Sequence, residues 1–377
     1  MDNGRTDFAI VAKIFISLSG EGRGHATRVR AVVESLRHEH EIHLFASGDA
    51  FQFLRPHYGH SDVKVQRISG LRFHYSASNR LHFAKTGTEA AKFARRLPLL
   101  VRMLARRISA ENPDLVVTDF EPALPRAAVR MGVPFVSLDH QHFLTTYDLS
   151  SLPFTLRCHA AFMSLVVRTY YQGQRENIVS SFYFPPLRKN ADKVTQVGVM
   201  LRPEVMAAEP SNRGHLVAYW RRFASDEVLT ALRSCGREVR IYGLGERPSS
   251  GNLRFCAIDE QRFIEDLASC EALVSTAGNQ LVGEALYLGK AAFVVPEARN
   301  FEQYINGHFL AQSGAGEWCE MQKVTPRRLN GFLAKLDQYR SRICSSRING
   351  LPATLGALHR HLPGVATSVQ GTAKLAA

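Results

Sequence analysis

Apolar and polar positions alternate along this chain in two rhythms. Short runs rich in β-branched and aromatic residues, at 10–17 (IVAKIFIS), 41–46 (EIHLFA), 63–68, 114–118 (DLVVT) and 134–138 (PFVSL), predict strands. Helix-spaced segments at 25–37 and 122–131 lie between them. Strands that read as near-continuous apolar runs belong in a parallel sheet covered by helices on both faces. The rhythm breaks over 198–213 (GVMLRPEVMAAEPSNR), which has two prolines and no clear period. It restarts with predicted strands at 215–219, 239–242, 253–256, 272–275 and 291–295, separated by helices near 226–234, 261–269, 280–288 and 302–312. The stretch 325–361 reads as polar helix. The pattern therefore predicts an α/β chain of two doubly wound, Rossmann-like domains, 1–203 and 214–362, joined by a linker at 204–213 and followed by a frayed tail at 363–377.

Composition narrows the class. Of 377 residues, 45% are hydrophobic and 21% charged, which excludes collagen-like and wholly disordered chains. No apolar run is long enough for a membrane-spanning helix, and the first residues lack the apolar core of a secretory signal. Six scattered cysteines with no C-x-x-C pair read as free thiols in a reducing compartment, so the expected location is cytoplasmic. The net charge of +13 favours anionic partners. It is uneven: residues 1–200 hold 26 Lys and Arg against 17 Asp and Glu. The stretch 92–107 (KFARRLPLLVRMLARR) interleaves basic and apolar residues around Pro98. It reads either as a solvated helix with one core face or as a basic amphipathic segment resting on an anionic membrane surface.

Candidate chemistry concentrates in three places. In 19–28 (SGEGRGHATR), Gly20, Gly22 and Gly24 allow a sharp turn and close approach of a ligand. His25 takes the place of the third glycine of a dinucleotide fingerprint. At a helix N-terminus the macrodipole disfavours a protonated imidazole, so His25 could serve as a general base, or it could merely pack against the turn. Asp119 directly follows a predicted strand. It could hold the far nitrogen of a catalytic histidine, or cap the helix that begins near Pro122. Asp139, His140, Gln141 and His142 follow the next strand in the same way and suit a polar acceptor loop better than a metal, since no further ligand stands at helical spacing and the chain has no D-x-D. The third place is 272–306. A buried strand ends in Ser275, Thr276, Ala277, Gly278 and Asn279, and a helix opens at once, which is the arrangement of a phosphate seat. Glu284 is the one charged residue of that helix; it requires either ribose hydroxyls or a buried arginine as its partner. Glu302 and Gln303 open the next helix with groups suited to sugar hydroxyls.

The stretch 274–316, with its S-T-A-G-N…E-A-L…G-K…P…F-E-Q…N…G-A-G pattern, and the loop G-E-G-R-G-H-A-T-R resemble GT-B glycosyltransferases, in the style of glycosyltransferase family 28, the family of the peptidoglycan lipid-intermediate N-acetylglucosaminyltransferase. Ser275 and Thr276 stand where some relatives carry glycines. The resemblance implies an N-terminal acceptor domain and a C-terminal donor domain facing across a cleft. It implies Glu284 at the donor ribose, Glu302 and Gln303 at the hexose, and the backbone near Ile258 at a uracil edge. It further implies Thr276, Gly278, Asn279 and Gln280 at the diphosphate, and His25 as base supported by Asp119. Gly22, Gly24, Arg28, His140 and His142 fall on the acceptor side. The expected reaction is inverting and metal-independent hexosyl transfer from a nucleotide-sugar substrate, with no cofactor, to a lipid or glycan hydroxyl. Two other classes share some features. A nucleotide-sugar 2-epimerase would need several acids facing the sugar, and a nucleic-acid binder would need a recognition motif that the sequence lacks.

Overall fold

The computed structural model describes residues 11–71, 83–221 and 223–363, and within them the apolar runs become two separate seven-stranded sheets. The first half runs β1 (Lys13–Leu18), α1 (Arg23–Leu36), β2 (Glu41–Ala46), α2 (Gly48–His57), β3 (Lys64–Arg67), α3 (Phe83–Glu111), β4 (Leu115–Asp119), α4 (Ala123–Met131), β5 (Phe135–Asp139), α5 (Phe143–Thr146), α6 (Phe154–Tyr170), β6 (Asn177–Ser180) and β7 (Val194–Val197). The second runs α7 (Pro203–Ala207), β8 (Leu216–Tyr219), α8 (Asp226–Arg233), β9 (Val239–Tyr242), β10 (Arg247–Ser250), β11 (Leu253–Cys256), α9 (Glu260–Ser269), β12 (Ala272–Ser275), α10 (Asn279–Tyr287), β13 (Ala292–Val294), α11 (Phe301–Ser313) and β14 (Gly316–Trp318). Helices α12 (Pro326–Leu333), α13 (Leu336–Arg340), α14 (Ser345–Ile348) and α15 (Leu351–His359) close the chain.

The strand orders are β3-β2-β1-β4-β5-β6-β7 and β10-β11-β9-β8-β12-β13-β14, parallel throughout except for β10 against β11. Each order reverses once, between β1 and β4 and between β8 and β12. At such a switch point the flanking connections leave on opposite faces and a crevice opens at the carboxyl ends of the strands. The central strands are buried along their length, β4 and β5 at every residue, which is why their sequences are runs without alternation. The strands absent from the sequence reading, β6 (NIVS), β7 (VTQV), β10 (RPSS) and β14 (GEW), are short and interrupted by polar or small residues, so none reads as an apolar run. β10 (RPSS) is fully exposed and carries a proline, as an edge strand can. The stretch 92–107 lies in α3, which continues through Pro98. Leu100, Leu104 and Ile108 are its core face, while Leu99 and Met103 stay exposed.

The chain passes between the halves twice. It leaves β7 through Val199–Arg202, and it returns after α14 to place α15 on the first sheet. Leu351, Ala357, Leu358 and Leu362 share one apolar cluster with Ile14, Leu44 and Val197. The last described helix, expected with the second half, thus completes the first; the predicted tail from 364 onward lies outside the described residues. The two crossings touch. Val199 bridges Asn349, and the Gly350 N–H donates to the Val199 carbonyl at 2.9 Å. A Cβ on Gly198 would run into the backbone carbonyl of Ile348, and one on Gly350 into that of Gly198. A further apolar cluster joins Phe143 and Tyr147 of the first half, Val199 and Leu201 of the crossing, and Val217, Leu273 and Phe309 of the second.

Two glycine substitutions separate these constraints. Gly198→Ala should destabilise the fold by about 1–3 kcal/mol through overpacking of backbone on backbone. Gly331→Ala, in the exposed middle of α12 with open space around it, should stabilise by about 0.5–1 kcal/mol. Urea denaturation of the two variants against the parent checks both signs.

Candidate active site

The first switch point is built from the ends of β1 and β4. Leu18 pairs with Asp119, and the Ser19 N–H donates to the Asp119 carbonyl at 2.9 Å, so the Gly-rich loop leaves from beside the carboxylate. Gly22 begins α1 at φ 72°, a left-handed conformation open to glycine. One turn on, the His25 Nδ1 lies 2.9 Å from Asp119 Oδ1. A carboxylate accepts, so Nδ1 carries the proton, and in the neutral imidazole Nε2 keeps its lone pair. The His25 side chain is 12% exposed, enough to meet a substrate. The capping alternative for Asp119 falls to its neighbour. Glu121 accepts the N–H groups of Ala123 and Leu124 at 2.8 and 2.9 Å, and burial pushes its carboxyl above the ordinary range. Phe120, between the two acids, sits at φ 54°, a strained conformation for a bulky residue, and stacks on Tyr170. The turn thereby aims Asp119 at α1 and Glu121 at α4.

The loop after β5 serves the junction of the halves. The His140 Nδ1 lies 2.8 Å from the Ser180 carbonyl and its Nε2 3.1 Å from Asn306 Oδ1 of α11. Burial disfavours its charged form. His142 is held by Asp139, Nδ1 to Oδ2 at 2.7 Å, and the Tyr171 hydroxyl donates to the same oxygen at 2.8 Å. Burial alone would raise the Asp139 carboxyl, but His142 and Tyr171 outweigh it and hold it below its ordinary range. Both histidines are buried, so neither opens onto an acceptor in this arrangement.

On the other side, β12 ends in Ser275 and α10 opens at Gly278 with no side chain capping its first turn. A Cβ on Gly278 would meet open space. Uncapped N–H groups and the helix dipole together form an anion seat. α10 packs against α1, the helix that carries His25. The side chains around the seat do other work than the sequence suggested. Asn279 clasps the first half: its Oδ1 accepts the Phe182 N–H at 3.2 Å and its Nδ2 donates to the Ser180 carbonyl at 3.1 Å. The Gln280 Nε2 donates to the Met200 carbonyl and to Glu284 Oε1 at 2.7 and 3.0 Å. Thr276 is buried in the turn. In α11 the Gln303 Oε1 accepts the Glu297 N–H at 2.7 Å, and Glu302 accepts from Gln141 across the crevice at 3.3 Å. Ile258, 49% exposed, stands on the loop before α9.

Glu284 has its arginine. It is 1% exposed, and Arg202 from the crossing donates to it twice, Nε to Oε1 at 3.0 Å and Nη2 to Oε2 at 2.7 Å. With Gln280, three of the roughly four lone-pair positions of the carboxylate are filled. The salt bridge that the sequence held open as the alternative to a ribose contact is therefore formed. The Arg202 Nη1 also donates to Glu260 at 2.6 Å, and the same oxygen accepts from Arg30 of α1 at 2.8 Å; Arg30 also meets Glu204. Burial would raise the Glu260 carboxyl, but the two arginines hold it below its ordinary range. A second set spans the mouth, where Arg221 meets Glu21 and Asp49 at 2.7 and 2.9 Å. The sequence reading missed Arg202 and Asn306. Arg202 sits in the aperiodic stretch 198–213, and only the unpaired acid of α10 signalled that a cation was due.

Among the described residues, two groups of side chains could offer metal ligands, Glu39, His40 and His359, and Glu41, His43 and Glu111. Both lie at the amino-terminal edge of β2, away from the crevice. In the second, both His43 nitrogens already face carboxylates, at 2.8 and 2.9 Å, and Lys13 and Lys64 occupy Glu41.

A family model described as "Glycosyl transferase family 1" matches residues 12–337. No curated protein matches the sequence significantly. Among solved structures, the calicheamicin glycosyltransferase CalG4 superposes with a TM-score of 0.65 at 17% identity, over 94% of this chain and 99% of that one. Arabidopsis thaliana UGT89C1 complexed with UDP-L-rhamnose gives 0.67 at 12%, over 93% and 98%. Acinetobacter baumannii MurG gives 0.58 at 15%, over 93% and 99%. At such identities the likeness is one of fold, the two facing Rossmann-like domains called GT-B.

The Glu284 pairing carries a stability prediction. Arg202→Met leaves a buried carboxylate without its cation and should cost about 3–5 kcal/mol, whereas Arg202→Met/Glu284→Gln should recover most of that loss. Denaturant melts of the single and double variants decide it, and additive losses would show that the pair is not coupled.

Proposed function

The chain belongs to glycosyl transferase family 1, and from that premise we propose that this glycosyltransferase moves a hexose from a nucleotide-sugar, a UDP-sugar by the donor-site pattern that resembles glycosyltransferase family 28, onto an acceptor hydroxyl, with inversion and without a metal. What carries the reading is the Asp119-held His25, whose neutral imidazole leaves Nε2 to accept a proton, together with the uncapped amino-terminus of α10, a helix that packs against α1. The acceptor O–H gives its proton to His25 Nε2, the oxygen attacks the anomeric carbon, and the bond to the β-phosphate oxygen breaks. The first-turn N–H groups of α10 and its dipole receive the charge that develops on the leaving diphosphate. Gly278 and the backbone of Thr276–Gln280 lie against the diphosphate. Glu284, held by Arg202, keeps one acceptor position for a ribose hydroxyl, and Glu302 faces the hexose.

The acceptor in this reading is a lipid or a lipid-borne glycan reached at an anionic membrane surface. No described helix is long and apolar enough to cross a membrane. What supports a surface association is the outer face of α6, where Phe154, Phe162 and Leu165 are exposed, together with Leu99 and Met103 of α3. Arginines flank these residues, and α6 is tied to α4 through Arg126, which donates to the Thr169 carbonyl at 2.6 Å. The apolar positions would enter the interface and the arginines would meet anionic headgroups.

Three outcomes are expected. His25→Ala should cut turnover by roughly 10²–10⁴-fold while donor binding stays near that of the parent; a variant that keeps most of its turnover refutes the base. Activity should survive EDTA, and a strict need for re-added Mg²⁺ or Mn²⁺ would contradict a diphosphate seat made of backbone. Flotation with phosphatidylglycerol vesicles should capture the protein at low salt and release most of it at high salt, and Phe162→Ser/Leu165→Ser should weaken capture; no capture at low salt would point to an acceptor in solution.

A further inference from the structure

Asp119 is engaged on both of its oxygens. Oδ1 takes the His25 proton donor, and Oδ2 lies 3.2 Å from Nε of Arg28. His25 and Arg28 are three residues apart on α1, so one helix face presents both to a single carboxylate. Arg28 is 4% exposed, and its Nε and Nη1 meet no hydrogen-bond acceptor among the described residues. The contact with Asp119 is one of charge, with poor alignment for a hydrogen bond. A buried guanidinium is not expected to lose its proton, and one so sparsely bonded is costly to keep. His140 stands close enough to feel this charge, and burial, then Arg28, oppose its protonation, whereas Glu302 favours it. No second buried cation competes with Arg28 for Asp119 among the described residues.

We propose that Arg28 is a positioning residue of the transfer reaction that cancels the charge of Asp119, so that the His25 group is neutral when the anionic donor arrives and carries one positive charge once the acceptor proton has moved onto it. The inference rests on the reading of His25 as base. At rest, neutral His25, anionic Asp119 and cationic Arg28 sum to zero. As the glycosidic bond breaks, its electron pair passes to the β-phosphate oxygen and the diphosphate gains one negative charge. In the same step the proton from the acceptor makes the His25 group positive. Without Arg28 the group would begin at minus one, facing the diphosphate seat, and end neutral. Arg28 thus removes a repulsion from the bound donor and supplies an attraction to the leaving group, a task that often falls to a divalent cation.

The test uses the full chain and two probes, UDP and inorganic pyrophosphate, the latter independent of the base and sugar of the donor. Calorimetry of Arg28→Met should show both probes binding about tenfold or more weakly, the effect of one uncompensated charge several ångströms away. Arg28→Lys should stay within about threefold of the parent. The decisive variant is Arg28→Met/Asp119→Asn, which restores neutrality: probe binding should return to near the parent value while turnover stays low, because His25 has lost its partner. A double variant that binds as weakly as Arg28→Met would show that Arg28 acts by packing, and unchanged binding in Arg28→Met would overturn the proposal outright. If Arg28→Met does not fold, Asp119→Asn alone leaves the Arg28 charge uncompensated and should bind both probes more tightly than the parent, and unchanged binding there overturns the proposal. His25→Ala run alongside separates the two failures. If it keeps its turnover, the base reading falls; if it loses turnover while Arg28→Met binds both probes normally, only the present inference falls. Failure of the parent to bind either probe would remove the diphosphate seat itself.

Discussion

A carboxylate buried in a helix must be answered by a cation, and that constraint organises the junction of this molecule. Glu284 stands on the helix whose amino-terminus faces the crevice. Its partner, Arg202, comes from the segment that joins the halves and not from the same domain. Through Glu260 the same arginine meets Arg30, five residues beyond His25 on α1. The charge balance of one buried acid therefore sets how the crossing segment lies, and with it where α1 stands against α10. Packing follows the same path: a Cβ on Gly283 of α10 would strike the Val199 side chain, so that helix is seated on the crossing by shape as well as by charge.

The two faces of the crevice are made in different ways. On the first sheet the groups are side chains, set by a strained turn that points Asp119 at α1 and Glu121 at α4. On the second sheet the groups are backbone N–H donors, left open because Gly278 has no side chain to cap them and Asn279 and Gln280 spend their amides on the first half and the crossing segment. The residues that hold the halves together are thus the neighbours of those that would hold a substrate, and positioning of the seat depends on the docking of the halves.

Much of the fold was legible because buried parallel strands leave an unmistakable trace: IVAKIFIS and DLVVT admit no amphipathic reading. The pairing of His25 with Asp119 was legible too, since both follow strands that neighbour one another at a switch point. What escaped was whatever depends on residues far apart in sequence. Asn279, Gln303 and His140 carry groups equally suited to a ligand or to a clasp, and only the approach of the other half decides between them. Arg202 lies in a stretch with no period at all. Glu284 announced the need for a cation without saying where it would come from. Local pattern specifies elements and their ends; it does not record which polar groups the tertiary fold consumes.

The position of α15 has a consequence for how the chain is made. Its leucines complete the core beneath β1, β2 and β7, so the first sheet is finished by nearly the last described residues. A nascent chain generally folds from its amino-terminal end as it emerges. Here the leading half has its strands but lacks one wall until the whole second half has been synthesised. Until then its apolar floor is open to chaperones and to other chains, and a truncation just before α15 would expose that floor permanently. The same arrangement makes the finished molecule hard to divide, because no single cut between the sheets yields two pieces that each keep their own core.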